Sequence, residues 1–247
     1  MIYKKKRLDK ILADRNLVDS QTKAKAIIMA GQVYVEGKQI IKSGLNFNDN
    51  SLIEIKSLGP EWVSRGALKL IKAIDEFNID IKDKTCIDLG SSTGGFTDVL
   101  LKKGAKKIYC VDVGYGQLDW KIRNNKNVLV YEKTNARYLD NTIIKDKLDA
   151  IVCDTSFISL KKVLPASMML LKKSGWLIGL IKPQFEIGKN LVGKGGVVRN
   201  QEHHKQVVKD IKYWLKEEKK FQIEGVIESP ILGPKGNREF LILAYKN

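Results

Sequence analysis

With 247 residues, 43% of them hydrophobic and 29% charged, 20 glycines and 5 prolines, the chain has room for one substantial core and a small second domain, but not for two large ones. That composition excludes disordered, collagen-like and membrane-spanning classes. The 44 Lys and Arg against 28 Asp and Glu leave a formal +16, a field that attracts polyanions and makes RNA, DNA or an anionic surface the leading partner classes. Cys86, Cys110 and Cys153 each lie in an apolar run without zinc or redox spacing, so they read as free core thiols of a reduced, cytoplasmic chain. The basic start MIYKKKRLDK lacks the apolar stretch of a signal peptide.

Residues 7–56 predict two short amphipathic helices followed by strands. Leu8, Ile11 and Leu12 share one helical face; Ala24, Ile27 and Ile28 share another, after a candidate Ser20 cap and before a Gly31 stop. Val33 and Val35 alternate, an EGK turn leads to Ile40, and SLIEI closes the unit. The first 60 residues carry 11 basic against 6 acidic side chains, concentrating positive charge on a unit that is mostly surface. Gly59 and Pro60 break both patterns, so a linker is expected at 59–63, between a domain at 1–58 and a second at 64–247.

The second domain opens with a predicted helix in SRGALKLIKAIDEF, with Leu68, Ile71 and Ile74 on its buried side. Short apolar runs then alternate with helix-like segments: TCIDLG, KIYCVDVG, NVLVYE, LDAIVCD, a helix at 160–172, the strand WLIGLIK, a long helix at 200–219, and the strands FQIEGVIE and REFLILAY. This is the patterning of a largely parallel sheet, an α/β fold. The glycine-rich loop IGKNLVGKGGVVRN is long enough to be a substrate-facing element.

One strand, TCIDLG, runs into the turn Gly90-Ser91-Ser92-Thr93-Gly94-Gly95-Phe96-Thr97, where missing side chains let a ligand approach the backbone at a helix mouth. The turn differs from GxGxxG, and no GKS or GKT sequence is present. Asp112 follows at the end of the next strand, where a carboxylate can meet a ribose diol or simply cap Gly114 to Gln117. Asp88 has the same two readings, ligand orientation or loop capping. Asp154 and Lys182 end two other apolar strands and share the rim where open parallel sheets bind ligands. Lys69 can equally be a lysine with its stem on the core. Glu239 joins the rim only if the last strand is inserted antiparallel.

These motifs, VSRGALKL, DLGSSTGGFTDVLL, VDVGYGQL, EKTNAR, DTSFISL, KPQFEIGK and GPKGNREF, in this order, make the chain resemble the TlyA, or hemolysin A-like, family of ribosomal RNA 2'-O-methyltransferases. The resemblance implies a Rossmann-like, seven-stranded class I methyltransferase sheet of the FtsJ-like kind, preceded by a small alpha-L RNA-binding domain. It implies S-adenosylmethionine as methyl donor; no metal is expected, because Lys69 and Lys182 would oppose the carboxylate set that Mg²⁺ needs, and no membrane partner is expected of a sequence without a signal peptide or long amphipathic insertion element. The implied substrate is ribosomal RNA in assembled 50S subunits, and in some members also 30S, methylated at cytidine 2'-hydroxyls. By motif, the family's catalytic tetrad falls on Lys69, Asp154, Lys182 and Glu239. The donor pocket falls on Asp88, the stretch Gly90 to Thr97, Asp112, Asn135 and Arg137. In this chain GPEWV stands where the family has an arginine-containing linker. The competing readings are a non-catalytic RNA-binding or ribosome-assembly protein, a small-molecule methyltransferase and, less favoured, a membrane-active hemolysin.

Overall fold

The structure, a computed structural model, describes residues 5–29, 31–55 and 62–247, apart from the side chains of Lys189 and Pro234. The chain divides into two compact units, Met1–Glu61 and Trp62–Asn247. The expected break at Gly59 and Pro60, and the first part of GPEWV, lie outside the described residues.

In the first unit a strand, β1 (Lys5–Arg7), leads into α1 (Leu8–Asp14) and α2 (Gln21–Met29), followed by β2 (Val33–Val35), β3 (Lys38–Ile40), β4 (Asn46–Asn48) and β5 (Ile53–Ile55). Three strands pair in the order β3-β2-β5, and β1 pairs separately with β4. The Ser20 cap is present, its Oγ accepting from the Lys23 amide at 3.2 Å. Gly31 ends the helix with a φ of +73°, a backbone that a residue without Cβ adopts at little cost. Leu8, Leu12, Ala24, Ile27, Ile28, Val33 and Val35 make a small separate core. Charged side chains dominate β1, and its pairing with β4 gives no apolar alternation to read.

The second unit comprises α3 (Ala67–Phe77), β6 (Thr85–Leu89), α4 (Gly95–Lys102), β7 (Lys107–Val111), α5 (Trp120–Arg123), β8 (Val128–Tyr131), β9 (Leu148–Cys153), α6 (Leu160–Leu170), β10 (Leu171–Ile181), α7 (Pro183–Glu186), α8 (Gln201–Tyr213), β11 (Phe221–Glu228) and β12 (Phe240–Lys246). Seven strands form one sheet in the order β11-β12-β10-β9-β6-β7-β8. The five from β10 to β8 are parallel, and β12 is inserted antiparallel against β10, with Phe240 opposite Ile181. This is the class I methyltransferase sheet.

Alternate residues of each central strand enter opposite cores. Ile87, Leu89, Tyr109, Val111, Ile151 and Cys153 pack with α6 and α8, whereas Cys86, Ile108, Cys110, Ala150 and Val152 pack with α3, α4 and α5. Burial on both faces explains why these strands read as continuous apolar runs. All three cysteines are free and buried. Burial pushes the Cys86 thiol up to about 12 and that of Cys153 to about 11, so neither is poised as a thiolate nucleophile.

The buried stripe of α3 differs from expectation. Leu68 is exposed, and Ala67, Leu70, Ala73 and Ile74 face inward together with Lys69. With Leu at both 68 and 70, the apolar pattern fits two helical phases, and packing against β12 and α4 selects one. The expected 200–219 helix has its predicted extent, but its end, Trp214–Glu218, is a π-helical turn in which the adjacent Trp214 and Leu215 are both buried.

Candidate active site

The rim at the carboxyl ends of β6, β7 and β9 opens into two cavities. One, of about 390 Å³, is lined by Asp112, Val113, Gln117, Asn135, Arg137, Phe157 and Val163 among others. The second, of about 230 Å³, is lined by Ser64, Lys69, Asp88, Ser91, Phe96 and Lys182 among others. Gly90, Ser92, Asp154 and Ser156 border both, which makes them two halves of one cleft. The crevice beyond the carboxyl ends of parallel strands is the general location of such clefts.

Glycine shapes the cleft through packing. Gly90 has a φ of +79°, and a Cβ there would lie 3.0 Å from Thr155 Cα. At Gly94, with φ +95°, it would lie 2.9 Å from Leu118 Cδ1, and at Gly95 only 2.2 Å from Ser64 Oγ. The space spared by these glycines is thus taken by neighbouring protein, which seats the loop tightly on β9, α5 and the start of α3. This corrects the simpler reading that the missing side chains leave room for a ligand. Gly94 and Thr97 do not border either cavity. Thr97 instead donates to Asp88 Oδ2 at 2.7 Å and touches Cys110 Sγ.

Asp88 is fully buried, and its Oδ1 has no hydrogen-bond partner. Burial is the main cause that pushes its pKa up to about 7, with the Thr97 hydroxyl working against it. An orphaned carboxylate oxygen bordering a cavity is a place for a cationic or N–H donor from a ligand. Asp112 accepts from the amides of Ser92 at 2.8 Å and Gly114 at 2.7 Å. It therefore ties the glycine loop to the next strand and keeps lone pairs for the cavity. Asn135 caps a short 3₁₀ turn through the Arg137 amide. Glu132 receives the Gly116 amide and the Arg123 guanidinium, which makes it a loop brace outside the cavity lining.

Lys69, Asp154, Lys182 and Glu239 meet in one cluster. Lys69 Nζ lies 2.8 Å from Glu239 Oε2 and 3.3 Å from Asp154 Oδ2; Lys182 Nζ lies 2.5 Å from Asp154 Oδ1. That last contact is an ion pair without hydrogen-bond alignment, and the aligned donation of Lys182 goes to Ser156 Oγ at 3.0 Å. The side chains of Lys69 and Lys182 are 8% and 6% exposed, that of Glu239 is fully buried, and Asp154 retains 19% at the cavity. Two ammonium groups against two carboxylates balance, which makes such burial tolerable. The order Lys182–Asp154–Lys69–Glu239 leaves Lys182 as the lysine at the end of the chain of charges.

Several neighbours escaped the sequence reading. Ser156 and Phe157 lie two and three positions after Asp154, and Phe157 is 91% exposed with a φ of +65°. Its ring is tilted against Phe185 at 5.2 Å. The available signal was an aromatic residue three positions after Asp154 in DTSFISL, past the end of the apolar run. Glu186, in the KPQFE motif, binds the Ser159 hydroxyl at 2.6 Å and the Leu160 amide at 2.7 Å, so it anchors the start of α6. Among the described residues no group of three or more His, Cys, Asp or Glu side chains is placed to hold a metal ion. None of their helices is long and apolar enough to cross a membrane.

Residues 62–246 match the FtsJ-like methyltransferase family, and residues 6–45 match the S4 domain. A Mycobacterium tuberculosis protein named 16S/23S rRNA (cytidine-2'-O)-methyltransferase TlyA is 40% identical over 237 residues, covering 96% of this chain and 88% of that one. The chain belongs to the TlyA family of FtsJ-like rRNA methyltransferases. A Bacillus subtilis protein named "Putative rRNA methyltransferase YqxC" is 44% identical over 243 residues, with 98% and 86% coverage. A solved Streptococcus thermophilus structure carrying the hemolysin name aligns over 100% of this chain and 90% of its own, with 37% identity and a TM-score of 0.73. For this TlyA-family chain, the two-unit match and the sheet order agree with the architecture that the sequence motifs imply.

Proposed function

We propose that the chain transfers the methyl group of S-adenosylmethionine to the ribose 2'-hydroxyl of a cytidine in large-subunit ribosomal RNA. The name of the Mycobacterium relative, which covers both subunits, supports small-subunit RNA as a second substrate. The observation that carries this reading is the continuous chain of charges from Lys182 to Glu239 at the border of the cleft.

The residues present suit the donor. The larger cavity offers the Asp112 carboxylate, the Asn135 and Arg137 edge, and apolar walls from Val113 and Val163, a composition for a nucleoside. The smaller cavity offers the unpartnered Asp88 Oδ1, an acceptor for an amino group. When bound, the donor supplies an electrophilic methyl carbon on a sulfonium. Lys182 orients the 2'-hydroxyl, and takes up its proton once it has itself given one to solvent and stands as the neutral amine. Asp154 holds the Lys182 and Lys69 ammonium groups at fixed separation, and Glu239 anchors Lys69 from the buried side. Lys69 then stands beside Lys182 to position the ribose or its phosphate. Alignment of this kind contributes several powers of ten to rate.

The test is transfer of labelled methyl from S-adenosylmethionine to purified 50S and 30S particles, followed by nucleotide mapping. Label at a cytidine 2'-oxygen is expected. RNA binding with no transfer to either particle would instead support an assembly factor.

A further inference from the structure

Away from the cleft, α8 and the π-helical turn after it carry Lys205, Lys209, Lys212 and Lys216, spaced by four, three and four residues, and Lys220 follows in the connection to β11. At about 100° per residue the four helical positions fall on one stripe about 16 Å long, and all five lysines are exposed. They line a groove of about 1020 Å³ whose other wall is the edge strand β11. At its upper end the groove shares Lys205 and Val208 with a cavity of about 310 Å³ that reaches Arg238 and Phe240. Phe240 opens β12 opposite Ile181, next to Lys182, so the groove runs from the neighbourhood of the catalytic rim down the sheet edge.

Like charges at i, i+4 repel along a helix, and two such pairs, Lys205–Lys209 and Lys212–Lys216, recur on this stripe. Two carboxylates, Glu217 and Glu224, also line the groove, against five ammonium groups. Lys205 is paired with Glu202, and Lys216 lies 3.8 Å from Glu217. Among the described residues, Lys209, Lys212 and Lys220 have no carboxylate partner. Tyr213, 62% exposed, lines the same groove and presents a ring between lysines. Ammonium groups in a line with an interleaved aromatic suit a sugar–phosphate backbone and a stacked base. Point charges on flexible stems meet phosphates without reading sequence.

We propose that the groove between α8 and β11 is a phosphate-binding track for the ribosomal RNA strand that flanks the target nucleotide. This rests on the rRNA methyltransferase reading above. At about 3.4 Å per nucleotide the stripe spans roughly five nucleotides of a stacked strand.

The test uses the full chain with Lys209→Glu, Lys212→Glu and Lys216→Glu combined, and a Gln version of the same triple. The charge-matched control is Lys103→Glu, Lys126→Glu and Lys147→Glu, three exposed lysines outside the groove. Binding to 50S particles and to protein-free 23S rRNA is measured over a KCl series. Methyl transfer and S-adenosylmethionine affinity are measured beside it. The groove triple should lose about tenfold in affinity for both RNAs and flatten the slope of log affinity against log salt by about two. KM for the particle should rise with kcat at saturation and donor affinity unchanged. The Gln triple should lose less affinity in the same direction, and the control should change little. Equal losses in groove and control variants, or no loss, would overturn the track. A loss on 50S particles but not on protein-free rRNA would overturn the RNA assignment in favour of an acidic protein surface. Absence of methyl transfer by the wild-type chain would sink the enzymatic reading separately, whereas transfer with an unaltered KM in the triple would sink only the groove.

Discussion

Gly233 offers a sharp test of whether the buried carboxylate of Glu239 matters to chemistry. Its backbone has a φ of −68°, which any residue adopts, yet a Cβ built there would lie 2.1 Å from Glu239 Oε1 and 2.5 Å from its Cδ. Ordinary van der Waals contact begins at 3.4 Å, so in Gly233→Ala the methyl and the carboxylate must separate by about 1.3 Å to reach the packing distances that interiors require. Glu239 is fully buried, and its other oxygen holds Lys69 at 2.8 Å. Relief therefore comes from tilting the carboxylate off Lys69 or pushing the 233–237 turn outward. Overpacking of this size costs about 1–3 kcal/mol of stability, and a displacement of about 1 Å in a positioning group lowers rate by about 10²-fold. The assay is single-turnover methyl transfer to saturating 50S particles, with calorimetry of donor binding and a denaturant titration on the same protein. We expect kcat to fall about 10²-fold with donor affinity nearly unchanged. Gly236→Ala is the matched control in the same turn. Nothing lies within 4 Å of its Cβ, but its φ is +85°, so it should lose about 1–2 kcal/mol from backbone strain and keep its rate. A folded Gly233→Ala chain with wild-type turnover would refute the idea that Glu239 geometry governs the cluster.

Lys182→Ala should keep its fold and most donor affinity yet lose about 10²–10⁴-fold in single-turnover transfer; near-wild-type chemistry would remove Lys182 from the reaction. Asp112→Ala deprives the Ser92 and Gly114 amides of their acceptor and should weaken donor binding by about 10–100-fold in calorimetry, with full retention rejecting its place in the pocket. Asp88, pushed up to about 7 chiefly by burial, holds its proton more tightly in the folded chain than in the unfolded one, where an aspartate titrates near 3.9. Its contribution to stability is therefore fully present below about pH 4 and is lost as pH rises to about 7, by up to about 1.4 kcal/mol per unit. Asp88→Asn should flatten that decline in denaturant titrations, and an unchanged slope would assign it to other groups.

The sequence by itself determined the sheet and its rim. Apolar runs ending in Asp112, Asp154 and Lys182 are legible because parallel strands buried on both faces need unbroken hydrophobicity and then a polar exit. Glycines with positive φ could also be read, since the loop demands them locally. Three matters were decided only by tertiary structure. The phase of α3 was ambiguous between Leu68 and Leu70, and packing against α4 and β12 turned Lys69 inward. Glu239 reaches Lys69 across 170 positions because β12 inserts antiparallel beside β10, and strand order leaves no trace in local hydrophobic period. The glycine loop's missing side chains are filled by Thr155, Leu118 and Ser64, neighbours brought there by separate elements. Local sequence encodes burial and turn conformation one segment at a time, whereas ion pairs and close packing form only when distant segments share one sheet.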